Sequence, residues 1–91
     1  MSKHAQGRVR VVNDLGMHLR AAGALVQVAS GFRAEIWLEC RGQRINGKSI
    51  MSVLSLAAGK GSDLLVTADG ADAESAVQAV VALIAGGFAH P

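Results

Sequence analysis

The succession of hydrophobic patterns predicts an α+β fold of two layers, with helices packed on one face of a four-stranded sheet in the order β-α-β-β-α-β-α. Three observations lead there. Four stretches alternate apolar with polar residues at period two, two longer stretches repeat apolar residues at helical spacing, and a short apolar run lies between the third and fourth alternating stretches. No proline-rich linker, low-complexity segment or internal repeat divides them, so residues 1–91 read as one domain.

In the first strand Val9 and Val11 alternate with Arg8 and Arg10, giving one covered and one wet face. Asn13 to Met17 form the loop that follows. From Leu19 onward Ala22, Leu25, Val26 and Ala29 make one helical stripe, and Gly31 is placed to end the helix. Ala34, Ile36, Leu38 and Cys40 then alternate with Glu35, Trp37 and Glu39, after which Arg41-Gly42 turns the chain into a strand over Gln43 to Asn46. Ser49 is placed to cap a short helix running to Leu56, with Val53, Leu56 and Ala57 toward the core. Beyond Gly59-Lys60-Gly61, Leu64, Val66 and Ala68 alternate inward until Asp69-Gly70 turns the chain. Asp72 is placed to cap the last helix, whose apolar face is Ala73, Ala76, Val77, Val80, Leu83 and Ile84, and Gly86-Gly87 closes it.

Size and composition exclude several classes of function. A chain of 91 residues supports one modest core and no elaborate multi-step chemistry. The net charge of +2 is weak and its basic residues are interspersed with acidic ones, so the case for nucleic acid, resting on Arg8, Arg10, Arg41 and Arg44, is thin. Stacking platforms are limited to Phe32, Trp37 and Phe88, and Trp37 reads as a partly exposed packing residue. Cys40 is the single cysteine, which rules out an internal disulfide and suits a small core residue in a reducing compartment. His4 and His90 lie near the ends, and no carboxylate or second histidine is placed to make a metal site with either. No apolar run has the length of a signal peptide core or a bilayer span, and the expected location is the cytoplasm.

Two surface features remain. In the short helix, Ile50, Met51 and Leu54 cluster away from the core-facing side, and a second apolar face on so short a helix suggests a docking surface for a partner. The other feature is Gly16-Met17-His18-Leu19-Arg20-Ala21-Ala22, which sets a histidine where an apolar helix begins. Backbone N–H groups at a helix start lack partners within the helix, and the peptide dipoles add positive charge there, so an anion is stabilised. A phosphoryl group carried on a ring nitrogen of His18 would face those N–H groups, and Arg20 would add a charge-assisted bond. The same positive end favours a neutral ring, the form whose nitrogen is nucleophilic. Gly16 leaves room for a tight turn and for an incoming donor.

With these residues in place, the chain resembles the HPr family, the small phosphocarrier proteins of the bacterial phosphoenolpyruvate-dependent phosphotransferase system, from about Val9 to Ile84. The likeness is carried by Gly16-Met17-His18-Leu19-Arg20, by Asn46-Gly47-Lys48-Ser49-Ile50-Met51, and by Ala68-Asp69-Gly70-Ala71-Asp72-Ala73. It implies an open-faced β-sandwich, a four-stranded antiparallel sheet with three helices on one face. It also implies that His18 takes a phosphoryl group on Nδ1 from phosphorylated enzyme I and passes it to enzyme IIA components. Arg20 then matches the arginine that helps hold and transfer the group, the Leu19 and Arg20 amides supply helix-start donors, and Met17, Ile50, Met51 and Leu54 match the docking patch. Ser49 resembles the serine that HPr kinase/phosphorylase modifies in some bacteria. The implied protein is a cytoplasmic monomer and a transfer intermediate, with no cofactor, no metal, no nucleic acid and no membrane insertion.

Two positions depart from the family pattern. Ala21 stands where many members have proline, and Leu15 where some carry a polar side chain near the imidazole. Two rival functions accompany the phosphocarrier reading: a nitrogen-branch or regulatory paralogue that feeds no sugar transporter, and, more remotely, a small nucleic-acid-binding domain.

Overall fold

The computed structural model describes residues 3–89, so His90 lies outside the described residues. The order of elements is β1 (His4–Arg10), α1 (Leu19–Ser30), β2 (Glu35–Cys40), β3 (Gln43–Asn46), α2 (Ile50–Ser55), β4 (Asp63–Asp69) and α3 (Ala73–Ala85). A 3-10 turn over Gly87–Ala89 follows α3. As expected, the four strands form one antiparallel sheet with three helices on one face; their order across the sheet is β1-β4-β2-β3.

Alternation along the strands produces that one-sided covering. Ile36, Leu38 and Cys40 of β2 and Leu64, Val66 and Ala68 of β4 point into the helical layer and are buried. Register keeps them together, since Leu38 lies opposite Val66 and Ile36 opposite Ala68. From the helices, Ala22, Leu25 and Ala29 of α1 and Ala76, Val80 and Ile84 of α3 complete the core. Val26 and Leu83, expected in the helical stripes, are only partly buried. On the open face the Arg44 guanidinium lies 4.7 Å from the centre of the Trp37 ring, so this half-buried Trp37 is covered by its diagonal cross-strand neighbour.

Several local expectations are corrected. The first strand begins at His4, and Val11 lies beyond its end although its side chain is fully buried. His4 Nδ1 lies 2.6 Å from Asp69 Oδ1 on the paired strand, a single pair that fastens the start of β1 to the end of β4. Ala57 takes a positive φ of 50° as α2 ends, which turns it to solvent and hands the inward position to Ala58. Gly31 stops α1 with an ordinary φ of −75°, without using the freedom of glycine.

Asp72 precedes α3 but makes no capping bond to it. Its carboxylate instead reaches across to the start of β2, accepting from Arg33 N at 2.9 Å and Ala34 N at 2.8 Å. Those bonds, the Arg33 one foremost, hold the Asp72 carboxyl below the usual carboxylate range. Gly70 makes the close approach possible. Its φ is 149°, and a Cβ there would stand 2.7 Å from Ala34 Cα.

Candidate functional site

His18 sits at the junction of loop and helix because two constraints hold the preceding turn. Gly16 has a φ of 63°, and a Cβ at that position would come within 2.7 Å of Ala58 O and 2.8 Å of Gly59 Cα. Only glycine fits. The neighbouring amide, Met17 N, donates to the same Ala58 carbonyl at 2.8 Å, which fastens the loop to the segment leaving α2. From the other side, buried Asn13 donates through Nδ2 to Gly16 O at 2.8 Å, and His18 N donates to that oxygen at 3.0 Å. An exposed ion pair between Lys60 and Asp14, at 2.8 Å, joins the same two loops.

At the start of α1 the His18 ring occupies the capping position. With φ −78° and ψ 177° its backbone is extended, and its Nδ1 accepts a hydrogen bond from Arg20 N at 3.2 Å. An acceptor nitrogen carries no proton, so this bond selects the neutral tautomer with hydrogen on Nε2 and leaves the Nδ1 lone pair directed at the helix N-terminus. No acidic residue lies in the first turn of α1 to offset the positive end of the helix. Among the described residues, the exposed Arg20 guanidinium makes no ion pair. The unprotonated Nδ1, the helix-start amide of Arg20 and the Arg20 side chain thus belong to one stretch of surface, where His18 and Arg20 line the same depressions.

Two depressions flank the ring. The more open one is lined by Leu15, His18, Leu19 and Arg20. The smaller, a cavity of about 50 Å³, is lined by His18, Arg20, Ala21, Ala24 and Phe88. Leu15 and Leu19 are each 66% exposed. Sequence reasoning treated Leu15 as a departure and Leu19 as a backbone donor, and missed both as apolar surface beside the histidine. Their signal was available, since neither falls on the buried stripe of α1 or on a strand face. Phe88 was missed as a site residue because it follows the last helix by three positions, and only the tertiary fold returns it to the start of α1.

The short apolar helix divides as its spacing suggests. Ser49 caps α2 by accepting from Ser52 N at 3.3 Å, Val53 and Leu56 are buried, Met51 is 77% exposed and Ile50 is 38% exposed. Leu54 is half-buried against the core. Met17, however, is buried at 5% exposure and belongs to the core cluster, which corrects its expected place in the docking patch. The physical reason is the Met17–Ala58 backbone bond, which draws this residue inward and leaves its neighbour His18 at the rim.

The second and third sequence motifs prove to be largely architectural. Asn46 Oδ1 accepts from Lys48 N at 2.8 Å, Lys48 Nζ donates to Phe32 O at 2.7 Å, and Gly47 N donates to Ile36 O at 2.8 Å. Among the described residues there is no cluster of side chains able to hold a metal ion, and no helix long and apolar enough to cross a membrane.

Comparison with known proteins agrees with this geometry. A family model described as the PTS HPr component phosphorylation site matches residues 5–86. The chain is 42% identical over 80 residues to the phosphocarrier protein HPr of Neisseria meningitidis serogroup A, covering 88% of this chain and 90% of that one. The crystal structure of HPr-C-His from Thermoanaerobacter tengcongensis superposes with a TM-score of 0.91 at 36% identity, over 96% of this chain and 98% of the other. A crystal structure of an HPr dimer from the same organism matches with a TM-score of 0.74 at 39% identity, over 88% and 92% of the two chains.

Proposed function

The chain belongs to the HPr phosphocarrier family of the phosphotransferase system, and on that premise we propose that His18 is the carrier residue, accepting a phosphoryl group on Nδ1 from phosphorylated enzyme I and yielding it to enzyme IIA components. The observation that carries this reading is the bond from Arg20 N to His18 Nδ1 at 3.2 Å. In the transfer, the Nδ1 lone pair attacks phosphorus, the bond from phosphorus to the donor nitrogen breaks, and its electron pair stays with the donor. The Arg20 amide, released from the ring nitrogen, and the neighbouring Leu19 amide then donate to phosphoryl oxygens, and the Arg20 side chain balances their charge. Delivery to enzyme IIA reverses these roles.

Both partners use one surface in turn. Ile50, Met51 and the exposed edge of Leu54 supply an adaptable apolar patch, and Leu15 and Leu19 extend it around the histidine. A phosphoryl group added to Ser49 by HPr kinase/phosphorylase would remain favourable at the α2 N-terminus while placing charge next to Ile50 and Met51, thereby weakening docking. The protein acts as a single cytoplasmic domain and as a monomer, with no nucleic acid or membrane insertion involved.

The test is incubation with phosphoenolpyruvate and enzyme I, followed by mass spectrometry for acid-labile phosphate. Label on His18 is expected, and label elsewhere or none at all defeats the reading. Running sugar-branch and nitrogen-branch enzyme I in parallel identifies which of the two chains of transfer this protein serves.

A further inference from the structure

The 3-10 turn over Gly87–Ala89 has an unusual backbone. Gly87, Phe88 and Ala89 have φ values of 67°, 61° and 60°, three consecutive residues in the left-handed region. An aromatic residue rarely adopts that conformation, which is strained and persists only where packing overrides it. Packing does so here. Phe88 is buried to 7% exposure although it lies almost at the end of the described chain. Its ring lines the cavity that also holds His18, Arg20, Ala21 and Ala24. Gly87 lies alongside the loop before His18, where an added Cβ would make ordinary contact with Val12 Cγ2 at 3.6 Å and Asn13 Cβ at 3.7 Å.

We propose that Phe88 is a positioning residue that walls the inner side of the His18 cleft, confining the imidazole against the start of α1 and restricting water at the phosphorylated nitrogen. The two alanines opposite, Ala21 and Ala24, are too small to restrain a ring, so the aromatic side chain is the bulky apolar element of that cavity. Excluding water there also strengthens the bonds between helix amides and phosphoryl oxygens.

The inference rests on His18 being the phosphoryl carrier for its second half only, and the experiment separates the two. Full-length protein, Phe88→Gly and Phe88→Leu are compared. Glycine accepts the left-handed backbone and removes the ring, whereas leucine retains apolar bulk. In unphosphorylated protein, 15N spectra of the imidazole should show His18 of Phe88→Gly moving toward the averaged shifts of a free neutral imidazole, with Phe88→Leu close to the parent. Each protein is then phosphorylated with phosphoramidate, whose P–N bond breaks as Nδ1–P forms and ammonia leaves. Hydrolysis, in which water oxygen attacks phosphorus and Nδ1 keeps the bond's electron pair, should run about three- to tenfold faster in Phe88→Gly and near the parental rate in Phe88→Leu. Unchanged ring shifts and an unchanged hydrolysis rate in a folded Phe88→Gly protein overturn the inference. A parent that takes no label on His18 overturns the carrier reading instead, and the ring spectra still decide whether Phe88 confines the histidine. Should Phe88→Gly fail to fold, Phe88→Asn, which also tolerates positive φ, serves the same comparison.

Discussion

Two helices of this protein begin in the same manner and serve different ends. At α1 the acceptor for a first-turn amide is the imidazole Nδ1 of His18, 3.2 Å from Arg20 N; at α2 it is the hydroxyl of Ser49, 3.3 Å from Ser52 N. Capping alone therefore makes neither a reactive centre. What distinguishes α1 is its surroundings: a ring nitrogen in the capping position, an arginine two residues on that makes no ion pair among the described residues, a cleft beside the ring, and a loop clamped to the rest of the fold at Gly16 and Met17. At α2 the cap lies beside exposed Ile50 and Met51, so its surroundings favour contact over reaction.

Substitutions can sharpen that contrast. The largest effect is expected from His18→Ala, which should abolish acid-labile labelling while leaving the circular dichroism spectrum unchanged; retained labelling would sink the assignment. Arg20→Ala should slow transfer roughly tenfold to a hundredfold, the worth of one charge-assisted bond, with enzyme I binding retained in a separate titration. Gly16→Ala combines a positive φ with a backbone clash, and chemical denaturation should register a loss of about 2 kcal/mol or more, accompanied by shifted His18 resonances. By comparison, Ser49→Ala removes a long capping bond and should cost about 0.5–1 kcal/mol with labelling of His18 intact.

Asp72 provides the smallest effect and a pH signature. Its carboxyl is held below the ordinary carboxylate range by the backbone donors of Arg33 and Ala34, so the native state binds fewer protons than the unfolded chain in acid. Its contribution is fully present above the unfolded carboxylate value and fades as pH falls through the lowered native value. Asp72→Asn should accordingly melt below the parent at neutral pH, and the gap should close in acid. A gap that is constant from neutral to strongly acidic pH would remove Asp72 from the account.

Much of the architecture was legible from local patterns. Ile36, Leu38 and Cys40 against Glu35 and Glu39, and Leu64, Val66 and Ala68 against Asp63, Thr67 and Asp69, mark an inside and an outside at period two, and Leu25, Ala29 and Ile84 mark helical faces, because burial on one side is a local property of spacing. His18 at the start of α1 was legible for the same reason, as was the exposure of Met51. Errors gathered where a residue's environment depends on distant chain. Met17 looked like a surface neighbour of the histidine but is drawn into the core through Ala58. Asp72 looked like a cap for its own helix but serves the start of β2, 38 residues earlier in the chain for Ala34.

The residues alone determined the two-layer arrangement, the position of the histidine relative to its helix, and the apolar side of the short helix, since all three follow from periodicity and from the unpaired amides that any helix start exposes. Only the tertiary structure decided which side chain stands against the imidazole, which carbonyl holds the preceding loop, and which carboxylate stabilises a remote turn. Those contacts join segments far apart in the chain, and no local spacing encodes them.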